Sequence, residues 1–157
     1  MERVYIFDTT LRDGGQTKGV DFSFADKIAI SEALDDLGID YIEGGWPGAN
    51  PTDDKLFGSP PKLKVSNFVA FGMTRRPNTS AANDPGLNAV LSGKSDSVCL
   101  VGKTWDFHVS KALNITLEEN IDMISESINE INKRGKQALF DCEHFFDGHQ
   151  KSAPVSY

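Results

Sequence analysis

Cysteine and histidine are scarce: the 157 residues contain two of the first and three of the second. Cys99 and Cys142 sit in apolar runs, Val98-Cys99-Leu100 and Phe140-Asp141-Cys142, and read as buried, reduced thiols. Two cysteines argue against a disulfide framework or a thiolate zinc site. The histidines, His108, His144 and His149, include no pair separated by a single residue. Positive charge is short as well. A net charge of -7 argues against non-specific nucleic-acid binding and against an anionic membrane surface. It leaves room for an anionic small molecule, because a site needs only a few local cations. No apolar run has the length of a membrane span, and the start, Met-Glu-Arg-Val, does not read as a signal peptide. A soluble, cytoplasmic protein is expected, with neither nucleic acid nor membrane as partner. Low-complexity tracts, short repeats and composition shifts are missing too, so the chain reads as one domain with a real core.

What is there is a repeating alternation of strand and helix. Arg3 to Phe7 is rich in β-branched and aromatic residues and predicts a first strand. Ser23 with Asp26 three residues on is a capping-box pattern opening a helix whose Phe24, Ile28, Leu34 and Leu37 share a face and whose end is marked by Gly38. Strands are expected at 40–43, 67–73, 97–101 and 137–141. Helices are expected at 51–58, from Asp84-Pro85 to Gly93, and from Thr116 onward. The last opens with a T-x-x-E capping box, Thr116 and Glu119, and carries Leu117, Ile121, Ile124, Ile128 and Ile131 at helical spacing. The strands stand roughly 30 residues apart, the spacing of βα units, and the fold class is α/β with a parallel sheet.

Polar residues gather after every strand. Asp8, Arg12 and Asp13 follow the first, Glu43 ends the second, Thr74-Arg75-Arg76 follow the third, Lys103 to His108 the fourth, and Glu143-His144 the fifth. In a parallel sheet all strand C-termini lie at one end, where ligands bind. Asp8 reads as a cap on the loop that follows it, and Arg75-Arg76 as a solvated basic turn.

The run Phe7-Asp8-Thr9-Thr10-Leu11-Arg12-Asp13-Gly14-Gly15-Gln16 resembles the opening motif of the DRE-TIM metallolyases, the family that holds 2-isopropylmalate, homocitrate and citramalate synthases and hydroxymethylglutaryl-CoA lyase. Tyr41 to Pro51, with its Glu-Gly-Gly-Trp-Pro-Gly core, is similar to the second-strand motif of the citramalate branch. Phe71 to Arg76, Gly102 to Val109 and Asp141 to Gly148 resemble that branch too, and the likeness runs over residues 3–149. It implies a TIM (β/α)8 barrel, of which about four and a half βα units are present here. It also implies an acyltransferase activity: a Claisen-type condensation of acetyl-CoA with a 2-oxo acid, pyruvate in this branch, with release of CoA, in leucine and isoleucine biosynthesis. By the same likeness, Asp13 would be a ligand of a divalent metal (Mg2+, Mn2+ or Zn2+). Arg12 would stabilise negative charge on the keto or enolate oxygen, Glu43 would orient Arg12, and Glu143 would assist proton transfer at the acetyl methyl. Gln16, Thr74 and His108 would line the substrate site, and CoA phosphates are the partner the resemblance suggests for Arg75-Arg76.

The resemblance also defines what is lacking. The family's later His-x-His metal pair does not occur, and a full barrel needs eight βα units and about 250 residues. The 157 residues are therefore expected to be a single truncated barrel domain, without the later strands and the C-terminal regulatory region, and inactive or nearly so alone. Full-length members are expected to be homodimers. Two other readings stay open: a fragment of a 2-isopropylmalate or homocitrate synthase or of a related lyase or aldolase, and a non-catalytic half-barrel that serves as a binding or assembly module.

Overall fold

Five strands with large sequence separations must be parallel if each is followed by a helix, and the computed structural model, which describes residues 3–152, has that form. The strands are β1 (Phe7–Asp8), β2 (Tyr41–Gly45), β3 (Asn67–Met73), β4 (Ser97–Lys103) and β5 (Gln137–Glu143). They pair in chain order, each parallel to the next. The helices are α1 (Phe24–Leu37), α2 (Pro51–Gly58), α3 (Pro85–Ser92), α4 (Leu117–Lys133) and α5 (Phe145–Ser152). A helical turn at Asp106–His108 and a wide π-helical turn at Val109–Leu113 lie between β4 and α4.

The sheet curls into a half-barrel. Gln137 on β5 donates from Nε2 to Tyr41 Oη on β2 at 3.1 Å. On a flat sheet those strands would lie about 14 Å apart, three steps of roughly 4.8 Å. Curling turns their inner faces toward each other, so the side chains meet. The outer face packs on the helices: Phe68, Ala70, Val98 and Leu100 join Leu56, Phe57, Leu87, Val90, Leu91 and Ile131 in the core, with Phe140 and Ala138 against it. Gly102 has no side chain because the Phe140 ring occupies the place a Cβ would take. By strand alternation the inner face carries Glu43, Phe71, Cys99, Val101, Asp141 and Glu143.

The helix starts follow the capping residues. Ser23 and Asp26 form both halves of a capping box, and Gly38 closes α1 in the left-handed region at φ 86°. Asn50 and Asp84 cap α2 and α3, each with proline in the first turn. At α4 only half of the expected box forms. Thr116 Oγ1 accepts from Glu119 N at 3.1 Å, but the Glu119 carboxylate is taken by Arg75.

Three further expectations are corrected. The first strand is not Arg3 to Phe7: only Phe7–Asp8 pair with β2, and Val4, Tyr5 and Ile6 are exposed. As an edge, this segment is tied mainly through Asp40, which accepts from Ile6 N and pairs with the Arg3 guanidinium, and through Tyr41 N donating to Ile6 O. On α4, Ile131 is buried, but Leu117 and Ile121 are 54% and 63% exposed, because the helix turns Asn120, Met123 and Ser127 toward the sheet. Cys142 is exposed, since it lies near the end of a strand that lacks a further neighbour on its free side among the described residues; Cys99 is buried, and burial pushes its thiol up to about 12.

Asp35 of α1 holds the approach to β3. It accepts backbone N–H groups of Lys64, Val65 and Ser66 at 2.7, 3.0 and 2.8 Å. Burial would raise its pKa, but these hydrogen bonds outweigh burial and hold the carboxyl well below the usual aspartate value of 3.8. Its stabilising effect is therefore complete above that value and is lost as pH falls through the depressed one. Asp35→Asn is expected to lower the melting temperature by several degrees at pH 7. The gap to the unsubstituted protein should close in acid, which thermal melts from pH 7 down to pH 2 would measure.

Candidate active site

The loop after β1 folds back over the strand ends. Thr9 O accepts from the backbone N–H of Arg12, Asp13 and Gly14 at 3.2, 2.9 and 3.1 Å, and Leu11 is buried beneath as the anchor. Asp8 takes the capping role read from the sequence: its carboxylate accepts from Thr10 N and Thr10 Oγ1. This turn brings Arg12 to the end of β2. Arg12 Nε donates to Glu43 Oε2 at 2.7 Å, an NH group lies 3.1 Å from Asp13 Oδ1, and the guanidinium carbon stands 3.8 Å from the centroid of the Phe71 ring. The cation is thus gripped at its edge by a carboxylate and on its face by an aromatic ring.

Glu43 is 1% exposed. Burial raises its pKa, the Arg12 hydrogen bond pulls it back only in part, and Asp141 and Asp13 add to the rise. The strand end that carries it is held by a second buried pair. Lys27 of α1 donates to Asp53 Oδ1 at 2.5 Å and to Gly44 O at 2.9 Å, while Asp53 also accepts from Trp46 N. Gly45, at φ 154° and with a register shift between Glu43 and Gly45, leaves room for the Asp53 carboxyl where a Cβ would collide. Trp46 then packs edge-on to Phe71.

These groups open on a cavity of about 650 Å³ at the C-terminal ends of the strands. Arg12, Asp13, Gln16, Thr74 and Glu143 all line it, so five of the seven residues singled out by the sequence converge. Glu43 lies just beneath, bonded to Arg12. His108 is not among the lining residues. It stacks in a group with Trp105 and His144, ring centroids 4.7 and 4.4 Å away. Arg75 is neither solvated nor open to a phosphate: it is buried, bonded to Glu119 at 2.9 Å and 2.7 Å from Glu126, and it ties α4 to the end of β3. Arg76 beside it is exposed and lines the cavity. Phe71, Lys103 and Asp141 also line the cavity, and the sequence reading, which placed them in motifs or at strand ends, gave them no role. Strand alternation carried a signal for two of them, since Asp141 shares a face with Glu143, and Lys103 shares one with Cys99 and Val101.

For the divalent cation that the resemblance implies, the donor set is poor. Among the described residues no group of three or more His, Cys, Asp or Glu side chains is gathered to hold a metal. Asp13, its side chain 62% exposed and one oxygen shared with Arg12, offers a single carboxylate. The residues described do not make a metal site by themselves.

The HMGL-like family model matches residues 3–153. The chain belongs to the HMGL-like family. It is 49% identical over 153 residues to an (R)-citramalate synthase of Aquifex aeolicus, covering 96% of this chain and 29% of that protein. An (R)-citramalate synthase of Sulfolobus acidocaldarius is 43% identical over 151 residues, covering 95% and 29%. A 2-isopropylmalate synthase of Solidesulfovibrio magneticus is more distant, at 30% over 141 residues, covering 90% and 27%. The chain spans less than a third of the length of these curated relatives. Among solved structures, the HMG-CoA lyase from Brucella melitensis superposes with a TM-score of 0.68 at 18% identity, covering 92% of this chain and 52% of that one. The hydroxymethylglutaryl-CoA lyase from Pseudomonas aeruginosa gives 0.69 at 16% identity, covering 88% and 45%. At such identities the likeness is one of fold, and it agrees with a TIM-barrel-type half-barrel. No described helix is long and apolar enough to cross a membrane.

Two outcomes are expected here. Glu43→Ala leaves the largely buried Arg12 charge with only the exposed Asp13 carboxylate and the Phe71 ring beside it and should cost about 3 kcal/mol of stability, measured by urea denaturation. Mn2+ at 1 mM should raise the melting temperature by less than about 2 °C, since a single carboxylate binds weakly and stabilisation grows only once the cation exceeds its dissociation constant.

Proposed function

We propose that this chain carries part of the acyl-transfer centre of an (R)-citramalate synthase-type enzyme, which joins the acetyl group of acetyl-CoA to a 2-oxo acid, pyruvate first, and releases CoA. The observation that carries this reading is the locked guanidinium: Arg12, fixed by Glu43 and Phe71, faces the same cavity as Asp13 and Glu143. The identity to (R)-citramalate synthases supports the choice of branch.

Each residue then has a task. Glu143 accepts a proton from the acetyl methyl: the C–H bond breaks, its electron pair moves into the enolate, and an O–H bond forms at the carboxylate. Arg12 offers preorganised N–H donors to the oxygen on which negative charge develops, and it needs no reorganisation because its position is already set. Glu43 positions Arg12. Gln16 and Thr74 orient the 2-oxo acid. The enolate carbon attacks the keto carbon, whose C=O π pair moves onto its oxygen and takes up a proton there; water then adds to the thioester carbonyl, the C–S bond breaks, and the sulfur leaves as the CoA thiol while the acyl carbon becomes a carboxylate. Asp13 would offer one carboxylate to a divalent cation, and the other donors such a site requires are not among the described residues.

Proton abstraction calls on Arg12 and Glu143, so it is the step to test in this chain. In D2O, acetyl-CoA should lose methyl protons faster with the protein than with its Glu143→Gln variant, followed by NMR. Arg12→Lys should slow the exchange by about 100-fold, because a point charge cannot reproduce the paired donors. Thiol release with pyruvate, 2-oxoisovalerate or 2-oxoglutarate should stay at or near the buffer rate, since the residues described do not complete the cation site. Equal exchange by the protein and by Glu143→Gln would overturn the reading.

A further inference from the structure

Glu143 is held from the neighbouring strand by two different kinds of contact. Thr104, just past β4, donates its hydroxyl at 2.7 Å and its backbone N–H at 3.2 Å to Glu143 O. Lys103, the last residue of β4, forms an ion pair through Nζ with Glu143 Oε2. The first contact fixes the main chain and the second fixes the side chain. Among the described residues Oε1 has no hydrogen-bond partner, and both side chains line the cavity.

The main chain here is already over-determined. Lys103 and Glu143 are register partners in the β4–β5 ladder, and Asn120 Nδ2 of α4 donates to Lys103 O at 2.9 Å. The chain leaves Glu143 through His144, a non-glycine residue in the left-handed region at φ 58°. Gly148 allows α5 to lie against the Thr104 carbonyl, which a Cβ would strike. None of these contacts uses the Lys103 ammonium. A partly exposed ion pair adds little to stability, so the fold does not need it to keep β5 in register. What the ammonium does is restrict a side chain that has three rotatable bonds and would otherwise sweep the cavity mouth.

We propose that Lys103 is a positioning residue for Glu143: by holding Oε2 from the adjacent strand tip, it aims Oε1 into the cavity as the oxygen that takes the acetyl proton. The proposal rests on the reading of Glu143 as proton acceptor. The order of the Glu143 side chain, however, can be measured without it.

The experiment compares the protein with Lys103→Met and Lys103→Arg by 13C relaxation at Glu143 Cγ and by acetyl-CoA methyl exchange in D2O, with thermal melts alongside. Lys103→Met is expected to keep its melting temperature within about 2 °C, since the Thr104 and Asn120 bonds remain. The Glu143 order parameter should fall below about 0.6. Exchange should drop by roughly 100-fold, as for a reacting group displaced from its attack geometry, with little change in the acetyl-CoA concentration at half-rate. Lys103→Arg should restore most of both, because a cation returns to the same place; a contribution from packing would not respond in this way. If the order parameter in Lys103→Met equals that of the unsubstituted protein, or if the unsubstituted protein exchanges above buffer and order falls without exchange falling, the proposal is overturned. If order falls and is rescued by arginine while the unsubstituted protein shows no exchange above buffer, the positioning role holds and the acyl-transfer reading fails.

Discussion

The contact on which the rest of the site depends is the one between Arg12 and Glu43. Glu43 is buried at the end of a central strand, where a lone carboxylate would be costly. Arg12 answers that cost from a loop, and in doing so decides where the loop must go. The three N–H groups converging on Thr9 O make the turn tight, but it is the guanidinium reaching Glu43 that lays the turn across the strand ends rather than out into solvent. Phe71 completes the arrangement. A cation between a carboxylate edge and an aromatic face has little freedom left, and the residue so held lines the cavity. Burying the pair is poor evidence for stability in itself; it is good evidence for a fixed direction.

Behind that pair stands another. Lys27 and Asp53 are both buried, one from α1 and one from α2, and they meet at the carbonyl of Gly44, next to Glu43. The register shift at Gly45 and the absence of its side chain let Asp53 approach the strand this closely. Two helices and a strand therefore converge on the residue that orients Arg12. The precision of the site comes from this layered support, because Asp13 itself is largely exposed and contributes no rigidity.

Much of this architecture was legible in the sequence, for reasons that are local. Ser23 with Asp26, Asn50 before Pro51, and Asp84 before Pro85 each satisfy helix N–H groups a few residues away, so the caps declare themselves. Strands β2 to β5 stand where β-branched and aromatic runs meet polar ends. The misses share a cause: each depends on what lies across the fold. Nothing near Arg75 in the chain says that Glu119 and Glu126, more than forty residues on, will bury it between them. Thr116-x-x-Glu119 is a complete capping box by spacing, yet Arg75 draws Glu119 away. Leu117 and Ile121 continue a helical stripe, but α4 is rotated so that Asn120 can reach Lys103 O and Ser127 can accept from Arg75 N. Polar bonds to the sheet outweigh a simple apolar face. Of the site, the arginine and its acids could be read from their positions at strand ends, while Phe71 looked like one more core residue until its ring was found under the guanidinium.

The charges around the cavity are not mixed at random. At one side Arg12 has Glu43 and Asp13 about it, so its positive charge is partly answered but its donors are not exhausted. At the other, Glu143 is met by Lys103, so its negative charge is partly answered while one oxygen stays free. An apolar wall that includes Phe71, Met73, Val101 and Met123 also lines the cavity. On the proposed reading, a reaction that takes a proton at one point and develops negative charge at another needs two poles held apart, so that the Arg12 donors are left for the developing charge and not spent on the base. Here each pole is paired with its own partner before substrate arrives. The sheet curvature, which lets Tyr41 and Gln137 meet across the inner face, also sets the span between β2 and β5 and so the separation of the two poles. The separation of the two charged groups is thus a property of the barrel wall, and on the proposed reading changes to the inner-face layer beneath the site would bear on the reaction without touching either group.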